Sequence, residues 1–174
     1  MATKKRKERL RPEPDREPRT QYAALPWRTG PEGETEVLLI TSRQTRRWVV
    51  PKGWPIKGLK PGPSAAREAY EEAGVRGSVT SKAVGKYAYE KLLANGRSQH
   101  VRVFVYALQV LEELDEWPEQ GQREKAWVSP AEAAERVREP KLSQLLKRFD
   151  WTHVEGLAPR KPKGKAKDKA AGRA

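Results

Sequence analysis

Residues 64–74, Ser-Ala-Ala-Arg-Glu-Ala-Tyr-Glu-Glu-Ala-Gly, are the segment that most restricts this fold. Ala, Glu and Arg are strong helix formers, and the glycine suits the residue just past a helix end. At about 100° per residue, Glu72 lies about 40° from Glu68, and Glu71 about 60° to the other side. One face therefore carries three carboxylates. Ala65, Ala69 and Ala73 stack one turn apart on the other face and allow close packing on a sheet. Like charges at these spacings repel by a few tenths of a kcal/mol per pair (roughly 0.2–0.5). Either the acidic face is simply solvated, or a divalent cation offsets the repulsion. The helix alone does not decide between the two.

The flanking sequence predicts strands. Residues 36–41 (EVLLIT) and 47–50 (RWVV) are apolar runs, and residues 21–27 alternate weakly. A Gly- and Pro-rich loop spans 51–63 and leads into the helix. Residues 78–89 and 100–110 read as strands with a turn at Ala94-Asn95-Gly96. Residues 112–122 form an acidic loop containing Trp117, and 126–128 a short strand. Ser129-Pro130-Ala131-Glu132 is a capping box opening a helix to about residue 137. Pro140 interrupts it, and a further helical segment runs to about 149. This order, without regular strand–helix alternation, predicts an α+β domain.

The chain has no Cys and two His, at 100 and 153. Disulfide scaffolds, thiolate metal sites, thiol nucleophiles and His-rich metal centres are excluded, so any metal is a hard ion on oxygen ligands. Of the net charge of +13, residues 1–20 contribute +4 (eight basic, four acidic) and 151–174 contribute +5 (seven basic, two acidic). Both ends are poor in large apolar side chains and are expected to be disordered. The expected organisation is a basic N-terminal tail at 1–19, one domain at 20–150 and a Lys-rich tail at 151–174. No apolar run reaches the roughly 20 residues of a membrane span, and the N-terminus lacks a secretory apolar region. A cytoplasmic protein without membrane contact is expected, its oligomeric state left open.

Gly53, followed at the required distance by Arg67-Glu68-Ala69-Tyr70-Glu71-Glu72-Ala73-Gly74-Val75, resembles the Nudix box. That signature is Gly, five residues, Glu, seven residues, then Arg-Glu-U-x-Glu-Glu-x-Gly-U, U being a bulky aliphatic. Two positions depart from it: Leu59 stands for the first Glu and Ala69 for the first U. RWVVPKGW, HVRVFVYALQV and REKAWVSPAEAAERV extend the resemblance over about residues 20–149. They are similar to the diphosphoinositol polyphosphate phosphohydrolases, which also cleave diadenosine polyphosphates.

The resemblance implies an α/β/α sandwich around a mixed sheet. It implies a pyrophosphohydrolase that uses Mg²⁺ or Mn²⁺ on a phosphoanhydride of diphosphoinositol polyphosphate or diadenosine polyphosphate type. Glu68 and Glu72 would ligate metal, joined by the Gly53 carbonyl. Glu71 would be a further ligand or the base acting on water. Arg67 would orient the glutamates by salt bridging. Leu59 and Ile56 would pin the loop to the core in place of the missing Glu.

A polyphosphate needs cations. Arg43 and Lys52 are the first candidates, beside the loop and in a Thr-Ser-Arg like the family's phosphate-binding Ser-Ser-Arg. Arg28, Arg46, Arg47, Lys57, Arg97 and His100 follow, each weighed against ordinary solvated surface. Trp54 is the aromatic candidate for a ligand ring, and Trp48 is expected in the core. Residues 53–58 imitate a Walker A loop but lack the Lys and Ser/Thr after the second glycine. Two alternatives are carried forward: a catalytically weakened Nudix-fold binding protein, suggested by Leu59, and a basic module contacting nucleic acid non-specifically through its tails.

Overall fold

The computed structural model describes residues 18–151. The two basic segments whose disorder is expected lie almost wholly outside them. The strands are β1 (Arg19–Thr29), β2 (Thr35–Thr41), β3 (Trp48–Val49), β4 (Lys52–Gly53), β5 (Val75–Val79), β6 (Gly85–Leu92), β7 (Ser98–Glu113) and β8 (Lys125–Val128). The helices are α1 (Pro61–Ala73), α2 (Pro130–Arg136) and α3 (Pro140–Arg148).

The strands form one sheet in the order β3-β2-β1-β7-β5, with β4 on β1, β6 on β7 and β8 on β2. β1 and β7 run parallel from Arg19↔Val101 to Trp27↔Gln109, and every other pairing is antiparallel. The sheet is thus mixed, as expected. One face packs Ala24, Leu38, Ile40, Tyr106 and Leu108 against Ala65, Ala69 and Ala73 of α1. The other packs Leu25, Leu39, Val103 and Val105 against Ala133, Val137, Leu142 and Leu146 of α2 and α3. The α/β/α layering follows from strands that are apolar on both sides, with a helix supplying each cover.

Residues 21–27 show little alternation because β1 is central: Ala23, Ala24, Leu25 and Trp27 are all buried. Pro26 is tolerated there because its neighbour changes. β1 pairs with β4 at Tyr22 and Ala23 and with β2 only from Trp27, so the missing N–H falls in the gap.

The expected strand at 78–89 is interrupted. β5 and β6 lie along the same edge of β7, and the chain leaves it at Thr80, whose Oγ1 donates to the Lys82 carbonyl at 2.9 Å. It returns at Val84, whose N–H donates to the Val105 carbonyl. α1 begins at Pro61, three residues before the expected start at Ser64, because prolines are accepted in a first turn whose N–H groups have no intrahelical partner. It ends at Gly74 in the left-handed conformation (φ 66°), and β5 starts on the next residue. The Ser129 cap is present, its Oγ accepting from the Glu132 N–H at 3.1 Å.

Candidate active site

Packing the alanine face of α1 on the sheet turns its acidic face toward the 51–60 loop. Glu68 is completely buried, and Glu72 is 9% exposed. Gly53 lies against Glu68: a Cβ at position 53 would fall on the Glu68 carboxylate and force it or the loop to move. The Lys52 N–H donates to Glu72 Oε2 at 3.3 Å. The short β4 strand, held on Tyr22 and Ala23 of β1, therefore sets the loop backbone on both carboxylates.

Glu71 is treated differently. Arg67, one turn earlier, donates through Nε to Glu71 Oε1 at 3.2 Å. Arg67 is half exposed, so the pair orients the carboxylate without strongly holding it.

Burial pushes the Glu72 carboxyl up from its ordinary 4.5 to about 7; Arg123 opposes the shift and Glu68 adds to it. Burial likewise lowers Lys52 from 10.5 to about 8, opposed by Glu72. Two carboxylates at one place, with one ionised only at a cost, is an arrangement a cation relieves.

Among the described residues, no group of three or more His, Cys, Asp or Glu is gathered to hold a metal ion. The acidic centre is the Glu68–Glu72 pair beside the Gly53 backbone. Its donors are hard oxygens, which suits Mg²⁺ or Mn²⁺ with waters and phosphate oxygens completing the shell.

In front of this centre lies a cleft of about 760 Å³. Lys52, Gly53 and Glu72 form part of its lining, with Arg43 and Arg47 from the β2–β3 loop. Trp54, Tyr89 and Lys91 line another part, Lys91 Nζ standing 5.2 Å from the Trp54 ring centroid and Lys52 Nζ 5.1 Å from that of Tyr89. The Tyr89 hydroxyl donates to Gln21 Oε1 at 2.7 Å. Glu119 and Arg123, from the loop before β8, also line it.

The structure thus brings Arg43, Lys52 and Trp54 to one cleft. Five other sequence candidates, Arg28, Arg46, Lys57, Arg97 and His100, are not among its lining residues. Arg28, near the far end of β1, is bound by Glu36 at 2.7 Å and Glu113 at 2.8 Å and lies over the Trp127 ring. Arg97 belongs to the β6–β7 turn, its N–H donating to Asn95 Oδ1. His100 Nδ1 is 2.7 Å from Glu90 Oε1 across the β6–β7 pair. Arg47 pairs with Glu139. Ile56 is buried, but Leu59 is 44% exposed, so of the two only Ile56 packs the loop inward. Trp48 is only half-buried, at the margin of the core.

Sequence reasoning missed Arg123 and Glu119. The Arg123 side chain is 9% exposed, with Nη2 3.3 Å from Glu72 Oε1 and Nε 3.8 Å from Glu119 Oε2. Its Nη1 donates to the Thr41 carbonyl at 3.1 Å. The only available signal was that REKAWV begins with it.

Fold and site together define an α/β/α domain in which an acidic helix face meets a glycine loop beneath a cation-lined cleft. The sequence places it: residues 19–149 match the NUDIX domain, and the chain belongs to that family. It is 32% identical over 142 residues to diphosphoinositol polyphosphate phosphohydrolase 3-beta of Bos taurus, covering 76% of this chain and 82% of the relative. This supports the diphosphoinositol-phosphohydrolase-like branch expected from the motifs. It is also 32% identical over 117 residues to Nudix hydrolase 12, mitochondrial, of Arabidopsis thaliana, covering 66% of this chain and 58% of the relative. The chain spans about three-fifths of the length of such plant relatives. The fold is shared with the Ap4A hydrolase of C. elegans in its binary complex (TM-score 0.53, 20% identity, 74% of this chain and 92% of that one). It is shared as well with the MutT protein of Methanosarcina mazei Go1 (TM-score 0.53, 21% identity, 74% and 90%). Among the described residues, no helix is long and apolar enough to cross a membrane.

Proposed function

We propose that this chain is a cytoplasmic, Mg²⁺- or Mn²⁺-dependent hydrolase of phosphoanhydride bonds. Its substrates are highly charged, of the diphosphoinositol polyphosphate or diadenosine polyphosphate type. The observation that carries the reading is the burial of Glu68 against Gly53 and of Glu72 beside the Lys52 N–H, with Gly53 and Glu72 lining the same cleft as Arg43 and Lys52.

Glu68, Glu72 and the Gly53 carbonyl would hold the ion. The chemistry such an ion supplies is neutralisation of phosphate charge and a lowered pKa for water. The side chains divide the remaining work. Arg43 offers a planar fork to phosphate oxygens, while Lys52 acts as a point charge beside the loop. Trp54 forms an apolar wall for the group attached to the phosphates. Glu71, loosely held by Arg67, accepts the proton of the attacking water or adds a ligand. Arg67 keeps Glu71 oriented on the helix.

Hydrolysis of a diphosphoinositol polyphosphate, a diadenosine polyphosphate, ADP-ribose and a nucleoside triphosphate, read by chromatographic separation of the products, tests the reading. Each is run with Mg²⁺, Mn²⁺ and EDTA, beside Glu72→Gln. Metal-dependent turnover lost in the variant supports it. Ligand binding without product under any metal would make the chain a binding protein.

A further inference from the structure

The loop between β7 and β8, residues 114–124, is fastened to the C-terminal end of α1. The Leu114 N–H donates to the Gly74 carbonyl at 2.8 Å, and the Glu119 N–H to the Glu71 carbonyl at 3.0 Å. The Trp117 ring covers Gly74 so closely that a Cβ there would strike it. At its other end the loop is fastened to β2. The Thr41 N–H donates to the Glu124 carbonyl at 3.1 Å, and the Glu124 N–H to Thr41 Oγ1 at 2.9 Å. Arg43 reaches Glu119 and Gln122, and Arg46 the Gln122 carbonyl. Between these two anchors Arg123 reaches Glu72.

The Arg123 side chain is largely covered and always charged. Its guanidinium is shared between two carboxylates, closer to Glu72 (3.3 Å) than to Glu119 (3.8 Å). Its Nε has no hydrogen bond, so its contact with Glu119 is incomplete. The Glu72 oxygen it meets is the one not taken by the Lys52 N–H. The guanidinium thus occupies the remaining oxygen of one of the two buried carboxylates.

We propose that Arg123 is the resident counter-ion of Glu72, a positioning residue that neutralises this carboxylate in the metal-free protein and gives it up to the metal. This rests on the reading of Glu72 as a metal-binding residue. Glu119, one helical spacing away in sequence and already in ionic reach, receives the displaced guanidinium. The loop's two anchors keep Arg123 in place throughout, so only its side chain has to shift. The arrangement keeps two buried carboxylates compatible with a folded protein before the ion arrives, at the cost of competition with the ion.

Such competition gives effects of opposite sign, which a merely structural role does not. The test uses the full chain. Mn²⁺ affinity is read from the free-ion EPR signal, and the unfolding midpoint is measured in EDTA and in saturating Mn²⁺. Arg123→Gln is expected to lower the midpoint in EDTA yet bind Mn²⁺ roughly ten-fold tighter, since one buried positive charge near the ion is gone. Arg123→Lys keeps the charge without the fork and falls between the two. If Arg123→Gln folds only with Mn²⁺, the proposal holds in its strongest form. Unchanged or weaker Mn²⁺ affinity in Arg123→Gln overturns it, as does a midpoint lowered equally with and without Mn²⁺. Glu72→Gln separates this from the underlying reading: if it binds Mn²⁺ like the parent, Glu72 is not a ligand and both fall.

Discussion

The Glu68 carboxylate occupies the space that a side chain at Gly53 would need. This contact joins the helix to the loop, and it is steric, because Gly53 has ordinary backbone angles and is absent from the positive-φ glycines. Gly53→Ala must push Glu68 or the loop aside. Displacements of this order cost about 10²-fold in rate at a site that depends on orientation. Metal-dependent turnover is expected to fall by at least that factor while circular dichroism stays that of a folded protein. Full activity in Gly53→Ala would show that the loop backbone does not serve the site.

Glu71 and Arg67 are expected to differ sharply. Glu71→Gln removes a proton acceptor and should lower kcat by roughly 10²–10⁴. Arg67→Ala removes a half-exposed partner at 3.2 Å. It should cost less than about 1 kcal/mol of stability and reduce kcat far less than Glu71→Gln. Parallel steady-state kinetics and urea unfolding check both.

Reading the sequence located this helix well, because glutamates and alanines at helical spacing identify both the acidic face and the packing face. β1 was less legible. A central strand buried on both sides has no alternation, so residues 21–27 gave only a weak signal. The cleft was partly legible. Arg43 and Lys52 adjoin the loop in sequence as they do in space. Arg28 belongs to an earlier strand and lies six residues along β1 from Tyr22, the partner of Gly53. Arg123 could not be found locally, since its place beside Glu72 depends on how the β7–β8 loop is fastened to α1 and β2.

Arg28 accordingly serves as a control. Its guanidinium is committed to Glu36, Glu113 and Trp127. Arg28→Ala should leave KM unchanged and cost on the order of 1 kcal/mol of stability, whereas Arg43→Ala should raise KM. A raised KM in Arg28→Ala would contradict the placement of the cleft.

The metal-free protein should lose stability as pH rises from about 4.5 to 7. In the folded state burial raises Glu72 to about 7, so over that window the folded form holds more protons than the unfolded one. The slope of unfolding free energy against pH is then negative, and the loss is complete above the folded value. Glu72→Gln in EDTA should flatten that part of the profile. Saturating Mg²⁺ should reverse it, since the ion favours the ionised carboxylate. Thermal melts between pH 4.5 and 8, with and without Mg²⁺, give the comparison.

The decisive experiment is hydrolysis of the two substrates with Mg²⁺, Mn²⁺ or EDTA, for the parent chain and Glu72→Gln, read as orthophosphate from the diphosphoinositol polyphosphate and as separated nucleotides from the diadenosine polyphosphate. Turnover is expected with either ion, none in EDTA, and none in the variant. Turnover in EDTA, or undiminished turnover in Glu72→Gln, would contradict metal-dependent hydrolysis through Glu72.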